Sequence, residues 1–205
     1  MKDRFVEIYN DKIHRPGADK LLAWLRKTDF FTAPASTRFH LSEPGGLVTH
    51  SVHVYERLRE LCAHENDRDG YGPLMDGDEE TIAICGLLHD VCKADCYRIE
   101  MRNRKNKQGK WEQVPYYTFK DQLPYGHGEK SVYIISGFMC LSREEAMAIR
   151  WHMGFSDVAF KGGSYSIGDA FNMYPLAVLT HIADLEATYL DEVDRGQTQK
   201  GGAEP

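Results

Sequence analysis

The sequence lacks the features that define several large classes of protein. It has no uninterrupted apolar run of about 18 residues, so we expect no transmembrane helix and no membrane partner. The first residues are charged throughout, so we expect no secretory signal peptide and a cytoplasmic location. The five cysteines form no repeated Cys-x-x-Cys pairs, which argues against a disulfide framework and against a four-thiolate zinc site.

Negative charge exceeds positive charge, and two common catalytic motifs are missing. The chain has 25 Lys and Arg residues against 31 Asp and Glu residues, a net charge of −6, which argues against stable binding of duplex DNA. It contains neither the glycine pattern of a P-loop nor the Gly-x-Ser-x-Gly motif of a serine hydrolase. What the 205 residues do contain is 42% apolar residues, enough for one packed domain, and nine histidines.

The apolar periodicity predicts a mainly α-helical protein with one inserted β-hairpin. Helices are predicted over 2–12, 18–27, 47–63, 81–93, 129–140 and 176–193, and a capping box at Ser142 and Glu145 opens another that reaches His152. Residues 96–119 contain β-formers on both sides of a polar turn over 103–110, which predicts the hairpin. A polar loop is expected over 65–78, and a flexible tail over 194–205.

The predicted hairpin concentrates positive charge. Residues 98–110 hold six bases and one acid. One interpretation is a solvated hairpin tip. The other is a surface that pairs with phosphates and stacks nucleobases on its aromatic residues, Trp111, Tyr116, Tyr117 and Phe119.

Four polar residues fall at positions where the pattern predicts burial. His50 lies on the apolar stripe of its helix, His89 and Asp90 end the most apolar helix, and Asp184 lies between apolar neighbours. Taken singly, each can be a hydrogen-bonded core histidine or a helix cap. Together, two buried carboxylates and two histidines from three helices indicate a shared cation, because an unpaired buried carboxylate is costly. Mixed imidazole and carboxylate ligands suit Fe, Mn, Ni or Zn.

The order of these residues resembles the H…HD…D signature of the HD superfamily of metal-dependent phosphohydrolases. The run PASTRFHLSEPGGLVTHSVHV is similar to the segment that leads to the first metal histidine, particularly in bacterial HD proteins related to a 3′-to-5′ exonuclease group. Further on, LLHDVCK resembles LLHDIGK, GHGEKS resembles a GHI-type motif, RWHMG resembles SHHG, and LTHIADLEA resembles LHxxDxLDA. The resemblance spans residues 33–190 and implies an HD-type helical bundle.

The resemblance implies a role for each matching residue. A first metal ion would be held by His50, His89, Asp90 and Asp184, and a second by His127 and His152, with Asp90 bridging the two. The chain departs from the family at Gly128-Glu129-Lys130, where an apolar residue is usual, and RWHMG lacks the paired histidine. Lys93 matches the family's HDxxK lysine, which implies contact with phosphate; alternatively it is a favourable charge at a helix end.

For the remaining polar residues of interest, the sequence either leaves two roles open or predicts a surface position. Arg38 and His40 precede the Gly-Gly turn and are either phosphate contacts or parts of a polar loop. His181 is either a support for the metal site or a packing residue, whereas surface positions are expected for His14, His53 and His64. We expect a single HD-type domain over residues 1–193, with N-terminal helices over 1–32 and the metal-binding core with its hairpin over 33–193.

The expected function is hydrolysis of a phosphate ester of a nucleotide or a single-stranded nucleic acid end by a metal-activated hydroxide. One or two divalent transition-metal ions would be the cofactors. The catalytic residues would be Asp90 and Lys93, and the substrate would contact Arg38, His40 and Lys130. Two alternatives remain open: an HD-fold di-iron oxygenase, which uses a similar set of ligands, and a catalytically silent HD-fold binding protein.

Overall fold

The computed structural model describes residues 1–67 and 78–193. Most of the loop predicted over 65–78, and the whole tail predicted over 194–205, lie outside these residues. Along the described chain the helices are α1 (Lys2–Lys12), α2 (Ala18–Leu25), α3 (Gly46–Asn66), α4 (Glu79–Leu88), α5 (His127–Ser136), α6 (Arg143–Trp151), α7 (Val158–Lys161), α8 (Ser166–Met173) and α9 (Pro175–Glu186). None of the described helices is long and apolar enough to cross a bilayer. The mainly helical fold predicted from the sequence is confirmed.

The two N-terminal helices are packed onto the rest of the bundle. Three aromatic rings pack edge to face with centroids 5.2–5.5 Å apart: Phe5 of α1, and Phe30 and Phe31, which follow α2. In the connection to α2, Arg15 makes two hydrogen bonds to the fully buried Glu145 on α6, at 2.6 and 2.9 Å. The N-terminal region is therefore fixed to the bundle by both aromatic packing and an ion pair.

Close packing between α3 and α4 determines where the first predicted metal residues lie. A Cβ atom at Gly86 of α4 would lie 2.5 Å from the Cα atom of Tyr55 on α3. Only glycine therefore permits this approach of the two helices. His50, near the start of α3, consequently lies beside His89, which directly follows α4.

The end of α4 differs from the prediction. The continuous helix predicted over 81–93 is wrong beyond Leu88, because Asp90 has φ −108° and ψ 17° and the chain continues as a short 3₁₀ helix, Val91–Lys93. The imidazole Nδ1 of His89 donates to the Gly86 carbonyl, which would accept the Asp90 amide in a continuous α-helix. Adjacent side chains on an α-helix point about 100° apart. The break instead lets both His89 and Asp90 face the same cluster.

The predicted β-hairpin is present between α4 and α5. Strands β1 (Tyr97–Lys105) and β2 (Trp111–Phe119) are antiparallel, with Tyr97 opposite Phe119. The turn is stabilised by the Asn106 side chain, which accepts hydrogen bonds from the amides of Gln108 and Lys110.

The C-terminal half contains both confirmed and unexpected elements. The capping box is confirmed: the Ser142 hydroxyl accepts from the Glu145 amide, and the Glu145 carboxylate accepts from the Ser142 amide. The helix predicted over 176–193 begins one residue earlier and ends at Glu186, where a π-helical turn, Ala187–Asp191, replaces it. Helices α7 and α8 were not predicted, because residues 155–173 are short amphipathic segments interrupted by glycines.

Candidate metal centre

Three predicted metal residues meet where α3, α4 and α9 converge. His50 Nε2 lies 3.2 Å from Asp184 Oδ1 and 3.3 Å from His89 Nε2. His50 and His89 are almost fully buried, and the Asp184 side chain is 17% exposed. The structure thus brings two imidazole nitrogens and a carboxylate within reach of a single ion.

Asp90 lies at the centre of a larger group of histidines. Its Oδ2 atom is 3.7 Å from His50 Nε2 and 3.6 Å from His89 Nε2. Its Oδ1 atom is 2.9 Å from His127 Nε2 and 3.6 Å from His152 Nε2. The two carboxylate oxygens therefore face two different pairs of histidines, which is the placement required of a residue that bridges two cations.

The hydrogen bonds of two histidines orient lone pairs towards this centre. His89 Nδ1 donates to the Gly86 carbonyl at 2.9 Å, and His152 Nδ1 donates to the Ile149 carbonyl at 2.7 Å. Since a carbonyl can only accept, the proton of each neutral ring is on Nδ1 and Nε2 carries the lone pair. His152 Nε2 is buried and has no hydrogen-bond partner within the described part of the chain.

These contacts fit a divalent cation. Two imidazole nitrogens 3.3 Å apart, an unsatisfied buried nitrogen and several carboxylate oxygens in one pocket form a set of possible electron-pair donors without a shared acceptor. A metal ion accepts all of these lone pairs at once. The mixture of imidazole and carboxylate suits Fe, Mn, Ni or Zn.

The environment favours the protonation states that metal ligation requires at His89 and Asp90, whereas at His50 a cation has to displace a proton. Burial lowers the pKa of His89 to about 3, so this ring is neutral at physiological pH. Burial opposes ionisation of Asp90, but the Lys93 ammonium and the surrounding imidazoles outweigh it and hold the pKa of this carboxyl well below its usual range. Burial likewise opposes protonation of His50, but the Asp184 and Glu192 carboxylates raise its pKa to about 10 when no cation is bound.

His127 completes the second half of the cluster from the first turn of α5. Its Nε2 atom faces Asp90, and its Nδ1 atom lies 3.5 Å from Cys92 Sγ. Burial raises the pKa of the Cys92 thiol to about 12, so that thiol is a neutral neighbour.

Lys93 extends the centre towards an open cavity. Its Nζ atom lies 2.6 Å from Asp90 Oδ2 and donates to the Ala35 carbonyl at 2.9 Å. Burial would lower the pKa of Lys93, but the Asp90 carboxylate outweighs it and keeps the pKa above its ordinary value. The lysine is therefore a fixed positive charge at the wall of the cavity.

The cavity has a volume of about 860 Å³ and contains several of the predicted site residues. Arg38, His40, His50, Asp90, Lys93 and Asp184 line it. His40 Nε2 is shielded from solvent without a hydrogen-bond partner in the described residues, and it lies 3.9 Å from Glu192 Oε2. The remaining wall is partly apolar, with Met153, Leu185 and Tyr189.

The predicted substrate residue Lys130 lies apart from this cavity. Its side chain is buried on α5, where Nζ lies 2.6 Å from Asp121 Oδ1 and 3.6 Å from Cys96 Sγ. The structure therefore does not bring Lys130 together with Arg38, His40 and Lys93.

Sequence reasoning did not identify Glu192 or the surroundings of two other histidines. The Glu192 side chain is completely buried and contacts both His50 and His53, so His53 is not the surface residue we expected. His181 lies next to the cluster, where its Nδ1 atom donates to the His152 carbonyl at 2.7 Å. A Cβ atom at Gly154, whose φ is +56°, would lie 2.2 Å from the His181 ring, so a glycine is required there.

Comparison with known families agrees with this geometry. The sequence model of the HD domain matches residues 47–197, which is more than half of the chain. No curated protein and no solved structure matches the chain. HD domains bind divalent metal ions, and the six predicted metal residues, His50, His89, Asp90, His127, His152 and Asp184, lie within the matched residues. The chain therefore belongs to the HD-domain family.

Proposed function

We propose that this protein is a metal-dependent phosphohydrolase that cleaves a phosphate ester of a nucleotide or of a single-stranded nucleic acid end. The observation that carries this proposal is the position of Lys93. Its ammonium group contacts Asp90, at the centre of the candidate metal cluster, and also lines the adjacent cavity. A phosphate bound in the cavity next to the cluster would thus also contact the fixed positive charge of Lys93.

The residues divide into two groups by what they can do. His50, His89, Asp90 and Asp184 would hold one cation, and His127 and His152, with the second oxygen of Asp90, would hold another. A bound divalent cation supplies Lewis acidity and lowers the pKa of a coordinated water. Lys93 and Arg38 would orient the phosphoryl oxygens and stabilise the charge that develops on them.

The size and polarity of the cavity favour a nucleotide-sized substrate. A volume of about 860 Å³ lies in the range of roughly 300–1,000 Å³ that is typical of small-molecule sites. Lys93 and Arg38 suit the phosphate, and the apolar residues Met153, Leu185 and Tyr189 suit a base or a sugar.

The basic hairpin and the resemblance to exonuclease-related HD proteins support a nucleic acid end as a second form of the same substrate. Trp111 is 68% exposed and has Lys105 Nζ 5.3 Å from its ring centroid. Such a pair can stack on a base and contact a phosphate.

A di-iron oxygenase is the second candidate, because Asp90 faces two pairs of histidines and such a cluster can also hold two irons. The catalytically silent binding protein is the third. These candidates differ in whether phosphate is released and whether oxygen is required.

The test is an assay of the release of phosphate, nucleosides and nucleotides by protein loaded with Mn²⁺, Fe²⁺, Ni²⁺ or Zn²⁺ under strict anaerobiosis. The substrates are nucleoside mono-, di- and triphosphates, cyclic dinucleotides and short oligonucleotides. We expect turnover without oxygen, and its loss in the double variant His89→Ala, Asp90→Ala. The variant His64→Ala, at the far end of α3, is the matched control and should retain activity. Turnover that occurs only with iron and oxygen would favour the oxygenase instead.

A further inference from the structure

Glu192 is a buried carboxylate that belongs to none of the motifs identified in the sequence. Its side chain is inaccessible to solvent, and its Oε1 atom lies 3.1 Å from His50 Nδ1 and 3.0 Å from His53 Nδ1. Its Oε2 atom lies 3.2 Å from His50 Nδ1. Both oxygens thus face the ring nitrogen of His50 that points away from the metal cluster.

Two features anchor Glu192 in this position. The π-helical turn Ala187–Asp191 immediately precedes it and widens the end of α9. The adjacent Asp191 forms a two-pronged ion pair with Arg57 on α3, at 2.8 and 2.5 Å. The segment is therefore fixed to the helix that carries His50, which makes the Glu192 contact a constrained one.

His50 differs from the other histidines of the cluster in what holds its Nδ1 atom. His89 and His152 each donate to a backbone carbonyl three residues earlier in their own helix. His50 instead donates to a carboxylate 142 residues later in the chain. A carboxylate that accepts the Nδ1 proton of a ligating histidine fixes the tautomer and makes Nε2 a stronger donor to the metal.

We propose that Glu192 is a positioning residue for the metal centre, acting through His50. It holds the proton of His50 on Nδ1 and directs the Nε2 lone pair towards Asp184, His89 and the ion between them. This inference rests on the metal centre of the proposed function, but not on the reaction carried out there.

The test compares metal affinity and histidine tautomers in the full chain and its variants. The first variant, Glu192→Gln, keeps the length of the side chain and removes its charge. The second, Glu192→Leu, removes both hydrogen bonds to His50. The control, His53→Gln, removes the second histidine that is hydrogen-bonded to Glu192 and leaves His50 unchanged.

Affinity for Mn²⁺ and Zn²⁺ is measured by competition with a chromophoric chelator. We expect Glu192→Gln to bind about 10- to 100-fold more weakly than wild type, the range found when an outer-shell partner of a metal ligand is lost. The control should bind about as tightly as wild type. Unchanged affinity in both Glu192 variants would overturn the inference, whereas a wild-type protein that takes up neither ion would overturn the metal centre itself.

Long-range ¹H–¹⁵N spectra of histidine-labelled protein report the tautomer directly. The His50 resonance should show a proton on Nδ1 in the metal-loaded wild type, and this signal should change in Glu192→Leu but persist in His53→Gln. A wild-type His50 that carries its proton on Nε2, or that loses the Nδ1 proton on metal binding, would contradict the proposed role. If Glu192→Leu fails to fold, the Glu192→Gln affinity and the wild-type spectrum still decide the question.

Discussion

Lys93 Nζ lies 2.6 Å from Asp90 Oδ2. Lys93 follows Asp90 by three residues and ends the short 3₁₀ helix that comes after α4. A buried carboxylate and a partly exposed ammonium are thereby held together at the boundary between the metal cluster and the cavity. The two charges have different expected roles, and each can be removed separately.

Replacing Lys93 with glutamine removes the positive charge from the cavity wall. If the proposed reaction occurs, kcat/KM should fall by about 100-fold, because one electrostatic donor to the developing phosphoryl charge is lost. Metal content, measured by elemental emission, should change much less. The control Lys120→Gln removes a lysine that pairs with Glu100 on the hairpin and should leave kcat/KM unchanged. An equal effect of the two substitutions would argue against a specific role for Lys93.

Replacing Asp90 with asparagine should abolish stabilisation by metal. Wild-type protein stripped with a chelator should gain about 2.7 kcal/mol of unfolding free energy when the metal is returned at a hundredfold excess over its Kd. Asp90→Asn should show little gain, because the residue that faces both histidine pairs has lost its charge. Thermal unfolding with and without Mn²⁺ measures this effect. Asp95→Asn, whose retained oxygen still accepts from the Asp29 amide, should respond to metal as the wild type does.

The Arg15–Glu145 ion pair should make stability depend on pH in acid. Burial would raise the pKa of Glu145, but Arg15 outweighs it and lowers the pKa below the ordinary value near 4.5. The stabilisation is therefore fully present above pH 4.5 and is lost as the pH falls through the lower folded-state pKa.

Glu145→Gln should consequently cost about 3 kcal/mol at pH 7, since it removes the buried carboxylate that Arg15 binds most closely and leaves Glu80, 3.4 Å away, as its remaining carboxylate partner. The difference from wild type should shrink as the pH falls below 4 (roughly), which denaturant titrations at several pH values would measure. Glu144→Gln, in the same first helical turn but outside the ion pair, is the control. A difference that does not vary with pH would show that the charge of Glu145 is not what stabilises the fold.

Substitution of Gly86 by alanine tests the close approach of α3 and α4. The added Cβ atom would lie 2.5 Å from the Tyr55 backbone, so the helices must move apart. We expect a loss of about 1–3 kcal/mol in stability, typical of an overpacked core, and weaker metal binding as His50 and His89 separate. In α8, Gly168→Ala introduces a Cβ with no described atom within 4 Å and should stabilise the protein by about 0.5–1 kcal/mol. Denaturant unfolding and metal titration of both variants make the comparison.

The helical class, the hairpin and the capping box could be predicted because each has a local signal. Apolar periodicity marks helices, alternating β-formers mark strands, and the spacing of Ser142 and Glu145 marks a helix start. The histidines and aspartates of the cluster stand out because polar residues interrupt apolar patterns. No comparable signal marks the end of α4, since Val91 and Cys92 continue the apolar pattern after His89 and Asp90, and the hydrogen bond of the His89 side chain to the Gly86 carbonyl has no sequence signature.

The surroundings of Glu192 and Lys130 could not be predicted from the sequence, because both depend on tertiary contacts. Glu192 lies in the acidic segment Asp191-Glu192-Val193-Asp194 at the end of the helix predicted over 176–193, a composition typical of a solvated helix end. Its burial depends on the π-helical turn and on contacts with α3, both of which are tertiary features. Lys130 has the charge expected of a phosphate contact, but its neighbour Asp121 lies after the hairpin, where sequence spacing alone does not place it.

The hydrogen bonds of the Ala35 carbonyl limit which hairpins could be grafted into this protein from other members of the HD-domain family. It accepts hydrogen bonds from both Lys93 Nζ and Tyr97 Oη, each at 2.9 Å, so both of its lone pairs are in use. Tyr97 is the first residue of the hairpin, which means that the insertion shares an anchor with the lysine at the cavity wall. A grafted hairpin that lacks a hydroxyl at this position would leave one lone pair of the Ala35 carbonyl without a donor. Lys93 would then bind the carbonyl without Tyr97 beside it.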